Sequence, residues 1–314
     1  MDERIATRAA YGDALRKIAC EYPDILALDA DLSCATFSNR FARGFPDRFF
    51  NMGIAECNML GVAAGLATAG KIPFIHTFAM FAAGRIYDQV RNSVAYPKLN
   101  VKIVGTHAGL SVGEDGATHQ CLEDIALMRV MPNMVIFNPC DAHEAELVVR
   151  AAAEMDGPCY LRIGRNPVKV VTRDKPGYRF EMGKGVMMRE GRDVAVFATG
   201  IMVQEALDAA EALAREGIEA RVVNIHTIKP IDREIIEKAA RECGAIVTTE
   251  EHNVMAGFGS AVAEVMAESL PVPLIRHGVN DEYGRSGAPN QVLDAYGLNA
   301  QGIAEAVRRV LKMK

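Results

Sequence analysis

Two stretches of this chain hold most of its capacity for proton chemistry. The first, residues 106–120, reads Thr-His-Ala-Gly-Leu-Ser-Val-Gly-Glu-Asp-Gly-Ala-Thr-His-Gln. It gathers His107 and His119, Glu114 and Asp115, and several hydroxyls among glycines. Histidines and carboxylates close together can give and take protons near neutral pH, and a glycine-rich loop can bring them to one point. The histidines and acids lack a familiar zinc spacing, which argues against a metal there. The second stretch runs Phe49-Phe50-Asn51-Met52-Gly53-Ile54-Ala55-Glu56 into a long small-residue run, 57–70. A helix that is apolar on most faces is buried. A carboxyl at its mouth is desolvated, favours its protonated form, and can trade a proton with a ligand nitrogen. The alternative is a plain N-terminal carboxylate favoured by the helix dipole.

The elements that would hold these stretches alternate. Residues 4–22 have helical apolar spacing, stopped by Pro23. Residues 25–31 are an apolar strand ending in acids, and 73–78 and 100–106 are further strands, the last running into the His-rich loop. Residues 81–96 read as a helix carrying Arg85, Asp88, Gln89 and Arg91. Strands at 134–137 and 159–163 bracket a helix at 142–155. Residues 166–192 are rich in Pro, Gly and charge. Beyond them the alternation resumes, with strands at 193–198, 220–224 and 245–249 and helices at 202–216, 232–243 and 259–269, before a C-terminal helical segment at 293–314. The pattern predicts an α/β protein of two domains, each a mostly parallel sheet flanked by helices. The expected boundaries are 1–170, a linker at 171–191, and 192–314. Gly257-x-Gly259 lacks the third glycine of a dinucleotide fingerprint and reads as a turn that lets a helix approach its sheet.

Composition narrows the partners. The 314 residues are 50% hydrophobic and 24% charged, with a net charge of −5 and no basic cluster, which disfavours nucleic acid. No apolar run is long enough to span a bilayer, and Met1-Asp2-Glu3-Arg4 does not begin a signal peptide. The seven cysteines are scattered without Cys-x-x-Cys spacing, as reduced thiols of a cytoplasmic protein would be.

Gly113-Glu114-Asp115-Gly116-x-Thr118-His119-Gln120, with His107 upstream, resembles the transketolase signature. Ala6-Thr7-Arg8, Ala30-Asp31-Leu32, Gly53-x-x-Glu56 and Thr77-Phe78-x-x-Phe81 resemble further motifs of that family, in order and at similar intervals. The resemblance spans nearly the whole chain but only half a transketolase: the pyrimidine-binding domain and the C-terminal domain. No Gly-Asp-Gly followed by Asn is found at the spacing that holds magnesium and diphosphate. The resemblance therefore implies the C-terminal subunit of a split transketolase. It would use thiamine diphosphate and Mg2+, the metal held mainly by an N-terminal partner subunit, in a heterotetramer containing a dimer of this chain.

The resemblance also implies roles. Glu56 would face the pyrimidine N1′ and drive removal of the thiazolium C2 proton. Phe78 and Phe81 would pack on the pyrimidine, and Asp31 would touch the cofactor or the partner chain. Asp115 would hydrogen-bond a sugar hydroxyl, and His119 would stand beside the reacting carbon. His107, Arg8 and Arg165 match the phosphate-end residues, with Arg162 a neighbouring alternative. The family's Tyr after Phe81 is Gly84 here, which points to Tyr87 as a substitute. Its Ser after Asp31 is Ala35, with Thr36 adjacent, so a sulfonated or unphosphorylated sugar end is also open. Glu250-Glu251-His252-Asn253-x-x-Ala256-Gly257-Phe258-Gly259-Ser260 is similar to 1-deoxyxylulose-5-phosphate synthase and to 2-oxo-acid decarboxylase beta subunits. A subunit of that type, or a silent interaction subunit, is the alternative reading. The second domain is expected to supply contacts and no catalytic residue, with helix 57–70 and residues 250–260 as contact surfaces.

Overall fold

Hydrophobic runs such as Ile25-Leu26-Ala27-Leu28 are apolar at every position, which suits strands covered on both faces. They form the middle of a seven-stranded sheet in the computed structural model, which describes residues 3–314. The spatial order is Thr227–Lys229, Val135–Phe137, Cys159–Ile163, Lys102–Thr106, Ile72–Phe78, Ile25–Asp29 and Phe49–Asn51. All pairings are parallel except that of Thr227–Lys229, which runs antiparallel to Val135–Phe137. Helices Thr7–Ile18 and Ala142–Glu154 cover one face, where Tyr11, Leu15, Val148 and Val149 pack on Phe74 and Val104. Helix Glu56–Thr68 and the helical segment after Phe78 cover the other.

A second, five-stranded sheet runs Leu274–Val279, Ile246–Asn253, Val194–Ala198, Ala220–Asn224 and Val186–Arg189, parallel except at the last edge. Helices Met202–Ala214 and Ala300–Leu311 cover one face, and Arg233–Cys243 and Phe258–Glu268 pack against the core on the other. Two helices begin where the side chains of Asp232 and Asn299 accept the amides of Ile235 and Gly302, which stabilises the first turn. No helix among the described residues is long and apolar enough to cross a membrane.

The halves interpenetrate more than the spacing implies. Thr227–Lys229 lies in the second half of the chain yet completes the first sheet, and one core continues from Met131 and Met134 through Ile228 to Phe197 and Val223. The segment 81–96 is helical but not uniformly α. Phe81–Arg85 and Val90–Ala95 are π turns around the short α turn Tyr87–Gln89. Such widened turns shift which side chains share a face and concentrate at functional sites. The C-terminal segment is two helices, Pro289–Ala295 and Ala300–Leu311. Strand Leu274–Val279 escapes sequence patterning because Arg276, His277 and Gly278 interrupt its apolar run at a sheet edge.

Between the sheets sits a buried ion pair: Arg162 Nε donates to Asp124 Oδ2 at 2.9 Å, and the Tyr160 hydroxyl donates to the same oxygen at 2.8 Å. Removing one member of a buried pair leaves the other uncompensated, at a cost of about 3–5 kcal/mol. Asp124→Ala should therefore lower the free energy of unfolding by about that amount in denaturant titration of the full chain. An unchanged midpoint would show that water already screens Arg162.

Candidate functional site

Parallel sheets place ligand-binding loops at the C-terminal ends of their strands. Here the loops after Ile25–Asp29, Ile72–Phe78 and Lys102–Thr106, from three adjacent strands, carry Asp31, the Phe78–Phe81 pair and His107–His119. Glu56 is the first residue of its helix and is 3% exposed, so the expected burial holds. It is not isolated, however. Arg85 Nη1 donates to Glu56 Oε1 at 2.7 Å, and the same guanidinium lies over the Phe81 ring, 4.1 Å from its centroid. Arg85 was visible in the sequence only as a polar member of a helix. The π turn beginning at Phe81 ends on it, and this places it on both groups. Tyr87, the candidate replacement for the family's tyrosine, packs against the core instead.

Phe78 and Phe81 stack nearly parallel, with centroids 6.0 Å apart. His107 lies on Phe78 at 4.0 Å, and His119 meets Phe81 edge-on at 5.5 Å. These four rings form an apolar shelf with imidazole nitrogens at its rim. His107 is buried with a backbone φ of +57, a conformation rare outside glycine. Burial, and then the nearby guanidiniums of Arg8 and Arg165, push its pKa down to about 3. Its Nε2 stands 3.4 Å from Arg8 Nη1. A guanidinium can only donate, so Nε2 is the bare nitrogen and Nδ1–H donates to Thr106 Oγ1 at 3.0 Å. His107 is thus a neutral ring whose orientation is fixed from both sides.

Arg8 Nε donates to the Arg165 carbonyl at 2.9 Å and Nη1 to the Ala35 carbonyl at 2.7 Å. Arg165 bonds the Val112 carbonyl and Glu114 Oε2, the latter at 3.0 Å, and its Nη1 lies 4.0 Å from Asp115 Oδ2. Asp115 is exposed and His119 half-buried, with Thr118 Oγ1 2.9 Å from its Nδ1. Asp31 is exposed, has φ +64, and accepts from Asn51 Nδ2 at 2.9 Å. The structure therefore brings Arg8, Arg165, His107, His119, Phe78, Phe81 and Asp115 into one linked set. Glu56 joins through Arg85, and Asp31 lies on the neighbouring loop.

Two alternatives from the sequence fall away. Arg162 is 4% exposed and committed to Asp124 and to the Glu251 carbonyl, so it is no substrate ligand. Thr36 is buried and donates to Asp29 Oδ2 at 2.8 Å, so it does not replace the family's serine at a ligand. Asp29 also takes the Ser38 hydroxyl and the Leu32 amide, which folds the loop bearing Asp31. Sequence reasoning noted this acid at the end of its strand without giving it a role, and it passed over His76, which is fully buried. Its Nδ1 donates to the Leu28 carbonyl at 2.8 Å, leaving Nε2 to accept from the Tyr11 hydroxyl at 2.6 Å. A lone histidine within an apolar strand gives no signal of that arrangement.

A buried carboxylate at the edge of stacked aromatic rings suits a flat heteroaromatic ring bearing a basic nitrogen. Among the described residues, no group of three His, Cys, Asp or Glu side chains is arranged to hold a metal ion.

Comparison with known proteins identifies the family. Residues 3–170 match the family model for the transketolase pyrimidine-binding domain, and 183–303 match that for the transketolase C-terminal domain. A protein of Methanocaldococcus jannaschii, provisionally named a transketolase C-terminal section, is 48% identical, the alignment covering 97% of this chain and 96% of that one. A 6-deoxy-6-sulfo-D-fructose transketolase subunit of a Clostridium species is 45% identical over 98% and 95%. The solved structure of a split-gene transketolase, an inactive beta4 tetramer, superposes with a TM-score of 0.92 at 54% identity, covering 99% of both chains.

The His107 arrangement is testable directly. The free imidazole titrates near 6.5, whereas the folded ring is held to about 3. The unfolded chain therefore binds the extra proton first, so stability from this group is complete above about 6.5 and is lost as pH falls toward 3. NMR of the His107 ring should show no titration between about pH 5 and 8, and a midpoint near the ordinary value of about 6.5 would contradict it.

Proposed function

The chain belongs to the transketolase family, and from that premise we propose that it is the C-terminal subunit of a split transketolase, completed by an N-terminal subunit. The observation that carries this reading is the buried Glu56 carboxylate, joined through Arg85 to the Phe81 ring of the stacked Phe78–Phe81 pair. Thiamine diphosphate, when bound, would supply a carbon that becomes nucleophilic once its proton is removed, the chemistry needed to transfer a two-carbon ketol unit from a ketose to an aldose. Phe78 and Phe81 would hold its pyrimidine in a water-poor slot, and Glu56 would share a proton with the ring nitrogen N1′. Arg85 occupies both Glu56 and the face of Phe81, so a pyrimidine seated on that face would have to displace it. Asp31 completes the cofactor pocket from the neighbouring loop. Magnesium and the diphosphate are held by the N-terminal partner.

Substrate binding falls to the loop after Lys102–Thr106. His119 stands at the rim of the aromatic shelf and donates to oxygens next to the reacting carbon. Asp115, exposed, accepts from a sugar hydroxyl. Arg8 and Arg165 flank the neutral His107, and two guanidiniums so placed favour an anionic sugar end. Phosphate and sulfonate share that chemistry, and the Clostridium relative is named for a sulfonated sugar. A pocket closed by a second subunit leaves the isolated chain without ketol transfer.

Purified complex carrying Glu56→Ala should lose ketol transfer by about 10²–10⁴-fold, the range for removal of a positioned proton-transfer group. The readout is a coupled sugar assay with phosphorylated and sulfonated ketose donors. Retained activity would remove Glu56 from the chemistry.

A further inference from the structure

Glu251 lies near the end of strand Ile246–Asn253, in the half of the chain to which the reading above assigns no site residue. Its side chain nevertheless reaches into the loop that carries His107, Asp115 and His119. Its Oε1 accepts the Ser111 backbone amide, and its own carbonyl accepts Arg162 Nη2 at 2.8 Å. The approach is close. Gly109 has φ +79, and a Cβ there would stand 2.3 Å from Glu251 Cδ. The middle of the loop is seated in the same way. Gly116, φ +73, would place a Cβ 2.3 Å from Ser286 Oγ. At the loop's end, Gln120 Nε2 donates to the Arg285 carbonyl at 2.9 Å. The second domain thus contacts this loop at its start, middle and end.

We propose that Glu251 is a positioning residue for the substrate-binding loop, fixing the path from His107 to His119 by accepting the Ser111 amide. The inference rests on the transketolase reading for what the loop does, but not for how it is held.

The surroundings explain why the acceptor is an acid. The Arg162 guanidinium faces it from strand Cys159–Ile163 and Asp124 from helix Asp124–Arg129, while the Ser111 amide meets it from the loop. On its own strand, Glu250 accepts the Phe258 and Gly259 amides, and His252 is held neutral by burial. Burial raises the Glu251 pKa from 4.5 to about 7, partly offset by Arg162. The folded value exceeds the free one, so keeping the ionised form buried costs stability, increasingly as pH rises from about 4.5 to 7. The bond to Ser111 changes in the opposite sense, because an ionised acceptor holds an amide more strongly than a neutral one. A residue kept for stability and a residue kept for positioning therefore give different signatures.

The test uses Glu251→Gln and Glu251→Ala. Hydrogen exchange in the full chain is followed across residues 109–120, and kcat and KM are measured in the complex with the N-terminal subunit. Glu251→Gln should raise Tm at pH 8 while abolishing a protection step at Ser111 centred near pH 7 in the parent chain. It should also flatten the matching limb of the kcat profile. Glu251→Ala should raise exchange across 109–120 at least tenfold and lower kcat more than it raises KM. Unchanged loop protection in both variants, or a pH step that persists in Glu251→Gln, overturns the proposal. If Glu251→Ala does not fold, Glu251→Gln carries the decision alone. A wild-type complex inactive on all sugars would refute the transketolase reading, and the exchange measurement would still decide the role of Glu251.

Discussion

The buried guanidinium of Arg162 joins the two halves of this molecule. It sits at the C-terminal half of a central strand of the first sheet and bonds both to Asp124 in the same half and to the Glu251 carbonyl in the other. A charge with so little exposure persists only where fixed acceptors replace its water. Asp124 and the Glu251 carbonyl provide them, and Tyr160 shares the Asp124 oxygen. The consequence is geometric. With the end of strand Ile246–Asn253 held against the first sheet, the loop after Lys102–Thr106 closes onto a surface built by the second domain. That loop cannot take its path from the first domain alone.

The site built on this frame has one dry end and one charged end. The dry end is the Phe78–Phe81 shelf, with Glu56 at its edge under Arg85. The charged end is the Arg8–Arg165 pair around His107, whose ring stays neutral because burial and two cations all oppose its protonation. This polarity suits a ligand pair in which a flat heteroaromatic cofactor occupies one end and a sugar bearing an anion extends to the other. It also explains why His107 acts as an oriented neutral ring rather than as a charge.

Much of this was legible in the chain. Five strands of the first sheet, at Ile25–Asp29, Ile72–Phe78, Lys102–Thr106, Val135–Phe137 and Cys159–Ile163, announce themselves as apolar runs, and the positions of Glu56, Phe78, Phe81 and His107 follow from motifs with fixed spacing. What stayed hidden was every feature set by tertiary packing. Arg85 reaches Glu56 because the helix after Phe81 winds as π turns, which apolar periodicity does not encode. Arg162 and Thr36 look like ligands beside the motifs, yet burial commits them to Asp124 and Asp29. The strand Thr227–Lys229 is too short to signal and belongs to a sheet assembled much earlier in the chain. Glu251 reads as part of an acidic-polar run, and only the approach of Gly109 gives it meaning.

The central claim is that this chain carries half of a cofactor site. Calorimetric titration of thiamine diphosphate with magnesium into the chain alone, and then into the chain mixed with its N-terminal subunit, tests it most directly. The account predicts no measurable heat for the chain alone and saturable binding, orders of magnitude tighter, for the mixture. Equal affinity without the second subunit would contradict it, because the diphosphate and its metal would then be held by residues of this chain.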